Sequence, residues 1–335
     1  MISTGEALSL PGLSLMRCLS AIESQELGVA PRRRPLAAGL FLFALTILLV
    51  GCGSWRQAGP GAEGGQEGHS GQSSQVSETI ENKGSDTLVN LALAWAERYM
   101  ELNPDVRLSV TGGGSGTGIA ALINGTVDIA NASRQMKSEE IDAAEANGVS
   151  PVEFVVARDA IAVVVHLSNP VNTLTFQQIS DIYTAKITNW QEVGGEDRPI
   201  VLLSRESNSG TYVYFLENVV RMGREDSSLL FSPGTLLMPS SEGITSEVSE
   251  NPNAIGYDGL GYVTAEQKVV AVASDAAGPF VLPSVATVND GSYPIARPLY
   301  MYTAGEPTGQ IEAYLTWVTG EGQAVVPEVG FVPLQ

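Results

Sequence analysis

Apolar positions along the chain follow two alternating rhythms. Around Thr79-Ile80-Glu81 they alternate with polar residues and predict a short strand, after which Leu88, Ala92, Trp95 and Tyr99 recur at helical spacing until Asn103-Pro104. Val106, Leu108 and Val110 alternate as a second strand. A short helix is predicted over 119–123, ended by Asn124-Gly125, and a buried strand over 127–130. Ser138, with Glu139 and Glu140 behind it, reads as the N-cap of a helix that Gly148 closes.

The second half repeats the alternation. Residues 161–165 form a strongly β-branched strand, and Thr175 caps a helix carrying Phe176, Ile179, Ile182 and Tyr183. A turn at Asn189-Trp190 and Gly194-Gly195 precedes a strand over 200–203. Tyr212, Phe215, Leu216 and Val219 then mark the buried stripe of a helix, followed by a loop-rich region. Strands are expected over 254–257, 269–272 and 295–302, and a final helix over 310–318 packed by Ile311, Tyr314, Leu315 and Trp317. Strands alternating with helices predict an α/β fold, and no repeat of fixed period is present.

Three strand-to-helix junctions carry glycine together with hydroxyl residues: Ser85/Thr87, Ser115/Thr117 and Ser209/Thr211. Such junctions lie at the carboxyl ends of strands, where open α/β sheets bind ligands. The first turn of a helix offers unpaired N–H groups, and glycine lets a ligand reach them. In Arg205-Glu206-Ser207-Asn208-Ser209-Gly210-Thr211 an arginine joins the hydroxyls, so the junction has the parts of an oxyanion site. One junction alone would be ordinary capping; three, with Arg134 and Arg205, point to an anion.

The N-terminus bears on the compartment. Arg32, Arg33 and Arg34 precede an apolar run over 36–50 that meets Gly51-Cys52. About fifteen apolar residues suit a signal-peptide core better than a bilayer span. The run resembles a bacterial lipoprotein signal, which would span 1–51 and leave Cys52 as the lipidated first residue; an uncleaved anchor is the alternative, and Met16 is a second possible start. Residues 52–77, rich in Gly, Ser, Gln and Glu, are expected to be a flexible tether.

Net charge narrows the partners. The chain carries a formal charge of −19, and without residues 1–51 it keeps 14 basic against 34 acidic residues. An acidic surface repels nucleic acid, and any bound anion must be held by local donors against the overall field. The only cysteines are Cys18 and Cys52, so no disulfide or cysteine metal site is expected in the folded part. Gly116-Thr117-Gly118-Ile119-Ala120-Ala121 matches the dinucleotide pattern Gly-x-Gly-x-x-Ala, but an extracytoplasmic protein would lack a pool of that cofactor. A serine hydrolase is disfavoured too: Gly-x-Ser-x-Gly is absent and His166 is the only histidine of the folded part.

Gly84-Ser85-Asp86-Thr87, the Gly-Gly-Ser at 113–115, Asp128-Ile129-Ala130 leading to Ser133-Arg134, the segment from Leu174-Thr175 to Asn189-Trp190, and Arg205 to Thr211 together resemble the phosphate-binding proteins of bacterial high-affinity phosphate ABC transporters. The blocks stand in the family's order over roughly 79–260. The resemblance implies a type II periplasmic-binding-protein fold: two α/β lobes joined by two crossover strands, with a ligand cleft between them. Lobe I would comprise 79–162 and 294–335, and lobe II 163–293. It implies a non-enzymatic, monomeric lipoprotein without cofactor, which takes inorganic phosphate to membrane permease subunits.

Carried onto this chain, the resemblance puts Thr87, the Leu88 N–H and Ser115, with Ser85 beside them, on the phosphate from lobe I. Arg205, Ser209, Gly210 and Thr211 would close the cage from lobe II. Where the best-known members have a proton-accepting aspartate this chain has Arg134, and Ser207 replaces another aspartate. A second branch of the family shares the Ser-Arg pair, so Ser133 and Arg134 would contact the anion, with Asp86 or Glu206 as candidate proton acceptors. Sulfate, molybdate or tungstate binding, and phosphate binding for sensing or adhesion, remain alternatives.

Overall fold

A computed structural model of the protein describes residues 79–335; the expected signal, Cys52 and the tether lie outside the described residues. The first elements are β1 (Thr79–Gly84), α1 (Asp86–Leu102), β2 (Arg107–Thr111), α2 (Ser115–Ile123), β3 (Ile129–Ala132), α3 (Ser138–Ala146) and the long β4 (Val152–His166). There follow β5 (Thr173–Thr175), α4 (Phe176–Tyr183), β6 (Val201–Arg205), α5 (Gly210–Phe215), β7 (Leu236–Met238) and α6 (Ser241–Glu250). The chain ends with β8 (Ala254–Gly259), β9 (Gln267–Ala273), α7 (Val285–Asn289), β10 (Ala296–Thr303) and α8 (Gly309–Thr319).

One curled sheet runs β2-β1-β3-β10-β4-β8-β6-β7, with β9 on β4 and β5 on β9. Its two halves are α/β units of parallel strands, joined through β4 and β10. Residues 152–160 of β4 pair antiparallel with β10, and 161–165 pair with β8, so the strand changes partners between Ala160 and Ile161.

Two large apolar clusters flank that switch. One gathers Leu88, Leu91, Trp95, Tyr99, Leu299, Met301, Tyr314 and Phe331. The other gathers Val163, Ile179, Tyr183, Trp190, Phe215, Tyr257 and Val270, with Phe215 stacked on Tyr257 at 3.7 Å. Each buried large side chain contributes about 1.5–3 kcal/mol, so each cluster is a core in its own right. Thr175 caps α4 as the sequence predicts, its side chain accepting from the Gln178 N–H.

Several boundaries differ from the expected ones. Helix α2 begins at Ser115, four residues before the apolar rhythm, so Gly116 and Gly118 are helical. Gly118 costs helix propensity, but a Cβ there would collide with the Lys83 carbonyl and Gly84, where α2 crosses β1. Lys137 is the N-cap of α3, with Ser138 its first residue. Strand β6 reaches Arg205, and Tyr212 is only partly buried. Helix α6 lies within the stretch expected to be loop-rich, because Ile244 and Val248 alone carry its apolar face among serines, glutamates and a threonine.

Candidate functional site

The carboxyl ends of β1 and β3 face the first turns of α1, α2 and α5, and a buried cluster of hydroxyls forms there. Ser85 Oγ donates to Ser133 Oγ at 3.0 Å. Ser115 Oγ lies 3.3 Å from Ser133 Oγ and accepts the Ser133 N–H at 3.0 Å. Across the two α/β units, Thr87 Oγ1 and Thr211 Oγ1 stand 2.7 Å apart. Gly210 closes the cluster: a Cβ on it would come within 2.5 Å of both Ser115 Oγ and Ser133 Oγ.

The polarity of these hydroxyls is set by what already donates to them. A hydroxyl has one proton, and a lone pair engaged by an N–H leaves that proton free to point elsewhere. Ser209 Oγ accepts the N–H groups of Thr211 and Tyr212, and Ser115 Oγ that of Ser133. Thr211 Oγ1 accepts from Arg297 Nη2 at 2.8 Å, and a guanidinium can only donate. Ser115, Ser209 and Thr211 are thus arranged as donors, which is what an anion requires.

Three buried arginines surround the cluster. Arg205 spans the two units: Nη2 bonds Asp86 Oδ2 at 2.9 Å and the Pro239 carbonyl at 3.0 Å, and Nη1 bonds Ser241 Oγ at 2.9 Å. Arg297, on β10, faces Asp159 on β4, with Nη2 3.0 Å from Oδ2, while Nη1 reaches the Ser133 carbonyl at 2.9 Å. Burial pushes the Asp159 carboxyl up, against the opposing pull of Arg297. Arg134 forks onto Glu140 with two contacts of 2.7 Å. Burial of Glu140 opposes ionisation, yet hydrogen bonds from Arg134 and the Lys137 N–H hold its carboxyl below the usual range.

The structure brings Ser85, Thr87, Ser115, Ser133, Gly210 and Thr211 into one cluster, with Arg205 at its edge through Asp86. Ser209 caps α5 beside it. The Leu88 N–H points to the Ser85 carbonyl at 3.0 Å, as in an ordinary first helical turn. Arg134 follows Ser133 directly, and its guanidinium is paired with Glu140 in the first turn of α3. Of the candidate acceptors, Asp86 takes the Gly113 N–H and Arg205, whereas Glu206 is exposed.

Sequence reasoning missed Arg297, Asp159, Ser241 and Asp258. The signals were faint: Asp159 stands beside Arg158 in β4, just ahead of its apolar run, and Arg297 is the one charge in β10. Asn208 stands out in the sequence only as a member of its motif. Its Nδ2 donates to the Gly113 carbonyl at 2.9 Å and its carbonyl accepts the Gly116 N–H at 3.0 Å, so it latches the two units beside the cluster. A cavity of about 310 Å³ opens on the other side, bordered by Ser133, Arg134, Lys137, Tyr214 and Arg297. Among the described residues no cluster of His, Cys, Asp or Glu is built to hold a metal, and no helix is long and apolar enough to cross a membrane.

A family model described as a PBP superfamily domain matches residues 70–321. The chain is similar to the phosphate-binding protein PstS of Pseudomonas aeruginosa, at 37% identity over 277 residues that cover 77% of this chain and 84% of that one. It is 30% identical to the phosphate-binding protein PstS of Bacillus subtilis, over 90% of this chain and 95% of that one. Among solved structures it resembles one from Clostridium perfringens with bound phosphate, described as a phosphate ABC transporter substrate-binding protein. That match has 32% identity and a TM-score of 0.68, and covers 77% of this chain and all of the other.

Proposed function

The chain belongs to the PBP superfamily and, within it, to the phosphate-binding proteins of ABC transporters, and from this premise we propose that it captures inorganic phosphate between its lobes and delivers it to a membrane permease. The observation that carries this reading is the buried hydroxyl cluster between two α/β units, in which Ser115 and Thr211 already accept from an N–H and a guanidinium, with arginines behind it. Phosphate would enter between Thr87 and Thr211 and exchange their mutual bond for bonds to its oxygens. Ser85, Ser115, Ser133, Ser209 and the Gly210 N–H complete the donors, and the Leu88 N–H would join them by exchanging the Ser85 carbonyl for the anion. Arg205 supplies charge across the lobes, Arg297 fixes Thr211 as a donor, and Arg134 stands at the rim on Glu140.

Charge-assisted hydrogen bonds contribute on the order of 1.5–3 kcal/mol each, so eight or so offset the dehydration of the anion and give micromolar affinity or better. Binding and lobe closure suffice for the role, with no catalytic step. In this reading the lobes are 79–162 with 294–335, and 163–293. The chain acts as a monomer outside the cytoplasm, and the segment ahead of Cys52 directs lipid anchoring there.

Thermal unfolding tests the reading. Millimolar phosphate should raise the midpoint well above the shift given by sulfate or molybdate, since a ligand at about 100 times its Kd stabilises by about 2.7 kcal/mol. Equal shifts from all three anions would favour a general oxyanion binder.

A further inference from the structure

The arginines and carboxylates at the site do not balance. Arg134 pairs with Glu140, Arg205 with Asp86 and Arg297 with Asp159, but a fourth carboxylate, Asp258 on β8, has no arginine of its own. It is 2% exposed. Its Oδ1 accepts Ser241 Oγ at 2.8 Å and the Gly259 N–H at 2.8 Å, while its Oδ2 is buried without a hydrogen-bond partner. Ser241 Oγ in turn accepts Arg205 Nη1 at 2.9 Å. The directions are fixed along this path: Arg205 donates to Ser241, and Ser241 donates to Asp258.

We infer that Asp258 is a positioning residue of the anion site, acting on Arg205 through Ser241, and that its carboxylate takes up a proton at Oδ2 when the anion binds. This inference rests on the phosphate-binding reading given above. Ionised, Asp258 holds Ser241 and Arg205 in place but leaves the three pairs with a surplus negative charge next to an incoming anion. A proton on Oδ2 removes that surplus and leaves both bonds at Oδ1 intact. A buried carboxylate oxygen without a donor is also the costly place for a charge, and neutralisation is its ordinary resolution. The step is a protonation alone: a solvent proton joins Oδ2, and no other covalent bond changes.

The groups around Asp258 agree on the direction. Arg205 on β6 favours its ionised form, as do Ser241 on α6 and the Gly259 N–H. Burial and the neighbouring Asp159 on β4 favour the protonated form, and burial pushes the Asp258 carboxyl up to about 6. Arg297 on β10 is engaged with Asp159, and Asp86 on α1 with Arg205, so neither arginine is free to compensate Asp258 alone. Tyr257, its chain neighbour, and Tyr262 are held in their neutral forms by burial, and Glu242 on α6 is exposed. A phosphate added to this set raises the proton affinity of Asp258 further.

The test is calorimetric titration of phosphate into the native protein and the Asp258→Asn variant, near pH 7, in two buffers of different ionisation enthalpy. The native protein is expected to take up more protons per phosphate than the variant, whose side-chain amide keeps an acceptor for Ser241 and Gly259 but cannot titrate. The variant's advantage in Kd should grow as pH rises from 5 to 8, by about tenfold for each pH unit by which phosphate raises the Asp258 pKa. Phosphate's own titration is common to both proteins and cancels. Equal proton uptake by both would overturn the inference while leaving phosphate binding intact; no phosphate heat in the native protein would overturn both. If the variant does not fold, the infrared difference spectrum of the native protein with and without phosphate decides. A new carboxylic-acid C=O band supports the inference, and its absence overturns it.

Discussion

Gly210→Ala isolates closure of the cage from the stability of the chain. The substitution adds one methyl group at the first position of α5, where alanine is a better helix former than glycine by roughly 1 kcal/mol. In the closed arrangement that methyl would lie 2.5 Å from Ser115 Oγ and Ser133 Oγ, against a comfortable contact of about 3.5 Å. Neither hydroxyl can simply turn away, because Ser115 Oγ holds the Ser133 N–H and Ser133 Oγ holds Ser85. The units must therefore retreat by about 1 Å, and overpacking of this kind costs about 1–3 kcal/mol. At 1.4 kcal/mol per decade, phosphate Kd should rise about 5- to 150-fold. Calorimetry reads the affinity, and small-angle scattering reads whether phosphate still compacts the molecule. Unchanged Kd with unchanged compaction would refute the proposed contact between Gly210 and the lobe I serines.

Arg205→Ala should abolish phosphate protection in thermal unfolding, whereas exposed Glu206→Ala retains most of it; equal losses would misassign the site. The arginine variant should also lose about 1–3 kcal/mol of stability, since Asp86, Ser241 and the Pro239 carbonyl all lose their donor. Thr211→Val keeps the shape but leaves Arg297 Nη2 without one acceptor and removes one donor from the cage; about 1–3 kcal/mol of phosphate affinity should disappear, read by calorimetry. Without phosphate, Asp258 adds a pH dependence of its own. Its folded pKa of about 6 lies above the unfolded carboxylate value, so the stability it contributes is present below about pH 4 and is lost as pH rises through 6. The midpoint of Asp258→Asn relative to the native protein should thus climb between pH 4 and 7, by up to about 3 kcal/mol of stability, and a flat difference would contradict the assignment.

The α/β architecture was readable because strong local signals agreed with the fold: the β-branched run of β4, the Thr175 cap and the glycine-bearing junctions each have a short-range physical cause. Helix α6 escaped because two apolar residues in ten make too weak a rhythm, and part of its burial comes from β4 and β6, which stand far from it in sequence. The same distinction applies at the site. Ser85, Thr87, Ser115, Ser209 and Thr211 sit at recognisable junctions, so their residue types announced them. Arg297, Asp159 and Asp258 lie inside strands, and their role depends on pairings across many residues, such as Arg297 with Asp159. Arg134 adds a pairing that residue type alone does not announce: only the fold reveals that its fork meets Glu140.

The central claim is that one phosphate is held between the lobes by the hydroxyl cage. The most direct measurement is isothermal titration of phosphate into protein freed of endogenous phosphate by unfolding, dialysis and refolding, at low salt. One phosphate per chain with micromolar or tighter Kd is the predicted result. No measurable heat, or sulfate binding as tightly as phosphate, would contradict it.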